Sequence, residues 1–266
     1  MPPKLDLDIP ALAKHIATKG PVKTLATQRR VRLLLNGTYI ADTTSPLFVW
    51  EHPYYPQYYL PSAAFDQKSI TRGEEIKGDD GKRIATLLKL KVGETETEKA
   101  VEFDAGLEGK GKEVAGRVKV EFGAVDQWFE EDTPVYVHPK DPFKRVDILA
   151  SMRPIKISVG GKVIAETTTS MHLYETGLPV RYYMPLTAVD QSVLRPSDLR
   201  TKCPYKGEAE YYSVVVDGKE WKDVVWYYTR PTVECAAVQG LVCFYNEKVE
   251  VEVDGKKEER PVTPFS

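Results

Sequence analysis

The sequence has few cysteines, little net charge and no long apolar run. Its three cysteines, Cys203, Cys235 and Cys243, are odd in number and fit free thiols in a reducing compartment better than a disulfide framework. The formal net charge of −2 gives no field that would concentrate a polyanion. No apolar run approaches the roughly 18–20 residues of a membrane span, and the start of the chain lacks the apolar core of a secretory signal. We therefore expect a cytoplasmic protein without a nucleic-acid or membrane partner.

Metal-binding and phosphate-binding motifs are also missing. There is no Cys-x-x-Cys, no His-x-x-x-His and no Gly-x-x-x-x-Gly-Lys-Ser/Thr. His52 and His138 lie beside prolines and could meet Glu51 or Asp141 around an ion, but a surface or capping role is the stronger interpretation of both histidines. We therefore expect neither a metal site nor a cofactor.

One segment of the chain occurs twice. Residues 31–66 and 155–190 align without a gap at a constant offset (155 − 31 = 124), with eleven identities in thirty-six positions. This similarity predicts two tandem copies of one domain of roughly 100–125 residues. We place an N-terminal arm at residues 1–30, a first repeat domain at 31–151 and a second at 152–266. The charged, glycine-rich stretch 71–123 resembles a long insertion in the first copy.

Local patterns in both copies favour strands. Asn36-Gly37 and Gly160-Gly161 each separate two alternating runs, which is the pattern of a tight β-hairpin. An aromatic strand and a Tyr-Tyr-x-Pro segment follow each hairpin, and few windows hold a helical period. The sequence therefore predicts a mainly β fold, with two compact antiparallel β-domains and few short helices.

The second copy contains a motif that the first copy lacks. It runs Thr201-Lys-Cys-Pro-Tyr-Lys-Gly-Glu-Ala-Glu-Tyr-Tyr212 and is followed by Trp226-Tyr-Tyr-Thr-Arg-Pro231. Together with the Tyr-Tyr-x-Pro segment, this motif closely resembles family 427 of the domains of unknown function, also catalogued as putative nucleotidyltransferases. The two-copy layout is similar to that of the fungal members. The resemblance implies a compact antiparallel β-domain, of the tent-like kind seen in Mss4-type proteins, and it implies no general activity.

Candidate site residues concentrate in the second copy. Cys203 precedes a proline and lies between two lysines that would favour its thiolate, although a nucleophilic cysteine needs a base and this copy offers only His172. A small buried element at a strand entry is the alternative role for Cys203. Glu175, amid apolar strands and near phenols and Lys206, could form an acid-base pocket or a satisfied polar network in the core.

We assign Glu175 as base or acid, Tyr183 and Tyr212 as proton donors and Lys206 as an electrostatic anchor. The predicted catalytic set is Glu175, Tyr183, Cys203, Lys206 and Tyr212, and the predicted ligand-binding set is Trp226, Tyr228, Arg230, Glu51, His52 and His138.

Three functions remain open at the level of sequence. The first is a protein that binds a small organic metabolite and, if it is an enzyme, performs cofactor-independent isomerisation, cyclisation, dehydration or hydrolysis. The second is a non-catalytic module in which Trp226 and nearby tyrosines form a cage for a ligand or peptide. The third is nucleotidyl transfer, as the family heading suggests, although the only Asp-x-Asp lies in the N-terminal arm.

Overall fold

A computed structural model describes residues 7–263 of the chain. The chain divides into two compact units between Asp141 and Pro142, and both are built mainly from antiparallel strands. The predicted mainly β fold with two tandem antiparallel domains is therefore confirmed. Within the described residues, no helix is long and apolar enough to cross a membrane.

The first domain contains one α-helix and eleven strands. These are α1 (Ile9–Lys19), β1 (Lys23–Ala26), β2 (Val31–Leu35), β3 (Thr38–Thr43), β4 (Leu47–Trp50), β5 (Gln57–Pro61), β6 (Ile70–Lys77), β7 (Arg83–Val92), β8 (Thr95–Phe103), β9 (Arg117–Val120), β10 (Gln127–Glu130) and β11 (Thr133–Val135). Seven strands form one sheet in the order β1-β4-β5-β9-β8-β7-β6, and four form a second in the order β11-β10-β2-β3. An apolar core that includes Leu33, Phe48 and Trp128 lies between the two sheets.

The second domain repeats this arrangement strand for strand. Its strands are β12 (Val146–Ser151), β13 (Ile155–Val159), β14 (Lys162–Thr167), β15 (Ser170–Glu175), β16 (Arg181–Met184), β17 (Leu194–Cys203), β18 (Gly207–Val216), β19 (Lys219–Tyr227), β20 (Val242–Phe244), β21 (Glu250–Val253) and β22 (Lys256–Lys257). The sheet orders are β12-β15-β16-β20-β19-β18-β17 and β14-β13-β21-β22, so every strand has a counterpart in the first domain.

The repeated hairpin forms as the sequence predicts. Asn36 and Gly37 have φ of 46° and 71°, and Gly160 and Gly161 have φ of 60° and 81°. Positive φ at both turn residues suits the twist of a two-residue hairpin. The register shifts at equivalent places in the two hairpins, after Leu33 in β2–β3 and after Ile157 in β13–β14.

The charged stretch 71–123 is not an insertion. Strands β7 and β18 begin at residues 83 and 207, which again differ by 124, and the 3₁₀ helices 109–114 and 233–238 keep the same offset. The prediction of an insertion was wrong because this stretch keeps few identities with residues 195–247, although the order of strands is the same in both domains. Leu88, Leu90 and Ala100 of this stretch are buried in the core between the sheets.

Both predicted domain boundaries also differ from the structure. Helix α1 buries Ile9, Leu12 and Ile16 on the outer face of the seven-stranded sheet, and β1 pairs with β4, so residues from 7 onward belong to the first domain. Residues 1–6 of the predicted arm lie outside the described part of the chain. Strand β12 pairs with β15 and so belongs to the second domain, although residues 146–151 were assigned to the first. In each copy an edge strand precedes the repeated hairpin, and this strand has no fully buried residue whose regular spacing could reveal it in the sequence.

Aromatic side chains replace α1 on the matching face of the second domain. In the first domain the paired residues Leu87 of β7 and Val101 of β8 lie in the outer cluster that α1 covers. The equivalent pair in the second domain is Tyr211 of β18 and Trp226 of β19. Together with Tyr183 and Tyr228 they form a buried cluster on the outer face of the seven-stranded sheet. The aromatic residues of this cluster, some of which belong to the predicted site, thus have a structural role as well as a candidate functional one.

Candidate functional site

The centre of the candidate site is a buried ion pair between Glu175 and Lys206. Glu175 ends β15, and Lys206 lies in the turn between β17 and β18. The Lys206 ammonium donates a hydrogen bond to the Glu175 carboxylate, and the two residues are only 8% and 9% exposed. The sequence-predicted acid and anchor therefore contact each other directly.

The turn that carries Lys206 has a constrained backbone. Gly207 has φ of 103°, and a Cβ at this position would lie 3.1 Å from the carbonyl oxygen of Arg230. The amide of Thr232 donates to the carbonyl oxygen of Lys206 at 3.1 Å, so the segment after β19 holds the turn. The Lys-Gly pair of the motif is thus explained by a close approach that only glycine allows.

Lys206 remains an ammonium ion in this environment. Burial alone would lower its pKa, but the neighbouring Cys203 and the Glu175 carboxylate outweigh burial, and the pKa of Lys206 is raised above its ordinary value. A positive charge is therefore fixed beneath the turn, and Glu175 neutralises it.

Cys203 is the accessible thiol of the domain. Its Sγ lies 3.8 Å from Nζ of Lys206, and the residue is half-buried, whereas Cys235 and Cys243 are buried. Burial raises the pKa of the Cys235 thiol, and it raises the pKa of the Cys243 thiol to about 12. His172 cannot act as a base for Cys203, because strand residues alternate in direction and His172 lies on the opposite face of β15 from Glu175.

The aromatic residues of the predicted site form a packed wall. The Trp226 indole donates to the Tyr183 hydroxyl at 3.0 Å, and the two rings meet edge-on at a centroid distance of 6.2 Å. Burial raises the pKa of both Tyr183 and Tyr228 well above the ordinary tyrosine value. The Tyr183 hydroxyl is fully buried and engaged with Trp226, so its predicted role as proton donor has no support in the geometry.

A second buried ion pair, which the sequence did not indicate, lies against this wall. The two terminal guanidinium nitrogens of Arg181, Nη1 and Nη2, each donate a hydrogen bond to Glu247 at 2.7 Å. The Glu247 side chain is fully buried. The Arg181 guanidinium lies 5.5 Å from the ring centroid of Trp226 and 6.0 Å from that of Tyr245. A cation of the protein itself therefore occupies the aromatic surface on which a cage was expected. The position of Arg181 directly before the Tyr-Tyr-x-Pro segment was the available sequence signal.

Two of the site residues predicted in the second domain, Tyr212 and Arg230, lie outside the cluster. Tyr212 points to the opposite side of β18, where its ring stacks on Tyr227 at 5.0 Å and packs against the core between the sheets. Its neighbour Tyr211 takes the expected place beside Trp226. Arg230 is exposed after the end of β19. Adjacent tyrosines face opposite sides of a strand, and the sequence alone did not show which one faces the cluster.

The first domain repeats the buried carboxylate with a different lysine. Glu51 accepts a hydrogen bond from the Tyr59 hydroxyl at 3.1 Å and pairs with Nζ of Lys119 at 3.2 Å. Lys119 lies on β9 opposite Tyr59, the position that Cys243 occupies opposite Tyr183 in the second domain. Glu51 is thus held by two donors from the sheet itself, and no turn is involved.

His52 and His138 of the first domain contact the same tyrosine. The His52 ring meets Tyr55 edge-on at 4.3 Å, and His138 stacks on Tyr55 at 4.1 Å. Asp141 accepts instead from the Trp50 indole at 3.1 Å. Among residues 7–263, no three histidine, cysteine or acidic side chains lie together where they could hold a metal ion. The structure therefore brings the two histidines together around a ring and not around an ion site.

Comparison with protein families identifies the domain. The family model described as domain of unknown function DUF427 (NTP_transf_9) matches residues 23–131 and again residues 147–255. A comparison with curated proteins gives no match. The two matched segments cover most of the chain and coincide with its two structural units. The chain therefore belongs to the DUF427 family and carries two tandem copies of its domain.

Proposed function

We propose that the second domain binds a small organic anion at Lys206 and performs cofactor-independent acid-base chemistry on it. The observation that carries this proposal is the buried Glu175–Lys206 pair beneath a turn whose half-buried thiol, Cys203, lies 3.8 Å from the ammonium. All the groups required belong to the chain, and its three free cysteines fit the cytoplasm as the proposed location.

Comparison with the first domain supports placing the site in the second domain. The equivalent glutamate–lysine pair of the first domain is closed. Glu51 has two partners, and its lysine is fixed in the middle of a strand. Lys206 lies in a turn, and rotation of its side chain would separate its ammonium from Glu175 while the backbone of the turn keeps its hydrogen bond to Thr232 and its pairing between Cys203 and Gly207. Only the Glu175–Lys206 pair therefore combines a fixed positive charge with a way for a ligand to replace the glutamate.

The proposed chemistry begins when a ligand replaces Glu175 as the partner of Lys206. A carboxylate or enolate oxygen that reaches Lys206 takes the place of Glu175 and is neutralised by the ammonium. The released Glu175 carboxylate then lies in a poorly solvated position beside the ligand, where it can accept a proton from carbon or oxygen. Return of that proton to another ligand atom completes an isomerisation, and its delivery to a leaving hydroxyl completes a dehydration.

The two alternatives have less support. A cage built on Trp226 would have to displace Arg181, whose guanidinium is also held by two hydrogen bonds to Glu247. Nucleotidyl transfer normally requires carboxylates grouped around a metal ion, and no observation on residues 7–263 favours such a group.

Calorimetric titration with pyruvate, succinate and citrate tests the proposal. The informative variant is Glu175→Gln combined with Lys206→Met, since it removes both charges at similar volume and leaves no unpaired buried ion. The control is Glu51→Gln combined with Lys119→Met. We expect the first double variant to lose binding of a carboxylate that the natural chain and the control bind. Equal binding by both double variants, or binding of none of the three acids by the natural chain, would refute an anion site at Lys206.

A further inference from the structure

The inner face of β15 carries two buried polar atoms that have no partner within residues 7–263. Among the described residues, neither Nε2 of His172 nor Oγ of Ser170 makes a hydrogen bond, and the two residues are 2% and 3% exposed. They are two positions apart and therefore lie on the same face of the strand, opposite to Glu175. This face is separate from the site proposed above.

The first domain fills the same positions with apolar side chains. Phe48 and Pro46 precede His172 and Ser170 by the constant 124 residues, and Phe48 pairs with Tyr58 as His172 pairs with Tyr182. Phe48 stacks on Tyr58 at 4.8 Å. The second domain thus has a histidine and a serine where its sister domain has a closed apolar contact, although nothing in the shared fold requires polar atoms there.

The charges around His172 also differ from those of the first domain. In the first domain Glu130 accepts from both Arg29 and the Tyr58 hydroxyl, at 2.7 and 2.8 Å. In the second domain the two roles are divided, since Asp254 accepts from Arg153 and Glu258 accepts from the Tyr182 hydroxyl, each at 2.7 Å. Two carboxylates and one guanidinium therefore surround the imidazole where one carboxylate and one guanidinium surround Phe48.

The edge of the sheet beside His172 is open. Leu149 of β12, the strand partner of His172, is 57% exposed, and Tyr174 at the next inward position of β15 is 40% exposed. A small molecule bound at the inner face would enter between these side chains and the exposed Arg153–Asp254 pair.

We propose that this inner face of the second domain binds a small organic ammonium ion. An ammonium group has three donors and no acceptor, and it meets acceptors at Nε2 of His172, Oγ of Ser170 and the Glu258 carboxylate. Its positive charge is balanced by the excess carboxylate that the second domain has acquired. A carboxylate ligand is disfavoured here, because it would face the Glu258 and Asp254 carboxylates, and the Arg153 guanidinium is already paired with Asp254.

The protonation state of His172 agrees with a donor ligand. Burial lowers the pKa of His172 and Arg153 lowers it further, while Glu258 and Asp254 act in the opposite direction. Tyr174 and Tyr182 are the other titratable groups that face the ring. The imidazole is therefore neutral at neutral pH and can accept a hydrogen bond. Ammonium binding should weaken as pH falls and the ring becomes protonated.

The test uses the full chain labelled with ¹⁵N-histidine and titrated with n-butylammonium chloride. The chain contains four histidines, His15, His52, His138 and His172, so the responding ring can be identified. We expect a saturable shift of the His172 nitrogen alone, and at least tenfold weaker responses to n-butanol and sodium butyrate. Equal responses to butanol and butylammonium, or a shift confined to other histidines, would overturn the proposal.

Two variants make the result specific. His172→Phe recreates the residue of the first domain and should fold, and calorimetry should show at least tenfold weaker binding of butylammonium. Glu258→Gln should weaken binding similarly, whereas the matched change Glu130→Gln in the first domain should leave it unchanged. Unchanged binding in His172→Phe, or equal losses in Glu258→Gln and Glu130→Gln, would show that the cation binds elsewhere.

Discussion

Glu51 and Glu175 occupy the same position in the two domains, yet their lysine partners come from different parts of the fold. Lys119 reaches Glu51 from a central strand, whereas Lys206 reaches Glu175 from a turn. The fold therefore requires a neutralised carboxylate at this position but does not fix the source of the positive charge. That freedom lets the positive charge come from a strand in one domain and from a turn in the other.

The first prediction concerns the stability of the Glu175–Lys206 pair. Lys206→Met leaves a buried carboxylate without its partner and should lower the free energy of unfolding by about 3–5 kcal/mol. Both residues are buried, so water cannot compensate the unpaired carboxylate. Denaturant unfolding measures the effect. Restoration of most of the loss by adding Glu175→Gln would confirm the pairing, and a loss below 1 kcal/mol would contradict it.

The second prediction concerns His172→Phe. The variant removes a buried imidazole without a partner and should raise the free energy of unfolding by about 1–2 kcal/mol at pH 6. The pKa of His172 is lowered in the folded state, so the natural chain should lose stability as pH falls below the ordinary histidine value of about 6.5. Thermal unfolding from pH 8 to pH 5 should show a smaller decline for His172→Phe. The reverse change in the first domain, Phe48→His, should be destabilising by about 2–4 kcal/mol.

The third prediction concerns Glu247 and acid. Burial alone would raise its pKa, but hydrogen bonds from Arg181 and Thr263 outweigh burial and lower it. The pair therefore stabilises the fold above the ordinary glutamate pKa of about 4.3, and this contribution is lost as pH falls through the lowered value. Glu247→Gln should flatten the acid limb of the stability curve. A curve parallel to that of the natural chain would mean that Glu247 has the same pKa when folded and unfolded.

The fourth prediction concerns thiol reactivity. Ellman's reagent at pH 8 should label Cys203 in a fast phase and the two buried cysteines only as the domain opens, because burial raises the pKa of both Cys235 and Cys243. Cys203→Ser should abolish the fast phase. A fast phase that persists in this variant would show that one of the buried thiols is accessible.

The repeat and the strand content could be predicted from sequence because both rest on local patterns. Asn36-Gly37 and Gly160-Gly161 determine two hairpins, and the offset of 124 residues aligns the segments 31–66 and 155–190 that contain them. The edge strands β1 and β12 could not be predicted, since neither has a regular alternation of buried and exposed residues and each pairs with β4 or β15 across an intervening hairpin.

The candidate site could be predicted only in part. Glu175, Lys206 and Cys203 do lie together, as their motif suggested. Tyr211 lies in the cluster where Tyr212 was predicted, and this depends on which face of β18 points outward. The Arg181–Glu247 pair joins residues that are 66 positions apart. Neither fact is contained in local spacing, because each depends on how the sheet is assembled.

The most direct test of the account is the ammonium signal of Lys206 in protein labelled with ¹⁵N-lysine. A buried, hydrogen-bonded ammonium exchanges its protons slowly enough to be observed, and Lys119 provides an internal control in the first domain. On titration with the carboxylate that binds most tightly among pyruvate, succinate and citrate, we predict a saturable shift of the Lys206 signal and a constant Lys119 signal. A constant Lys206 signal at saturation, or an equal shift of both lysines, would contradict exchange of Glu175 for an anionic ligand in the second domain.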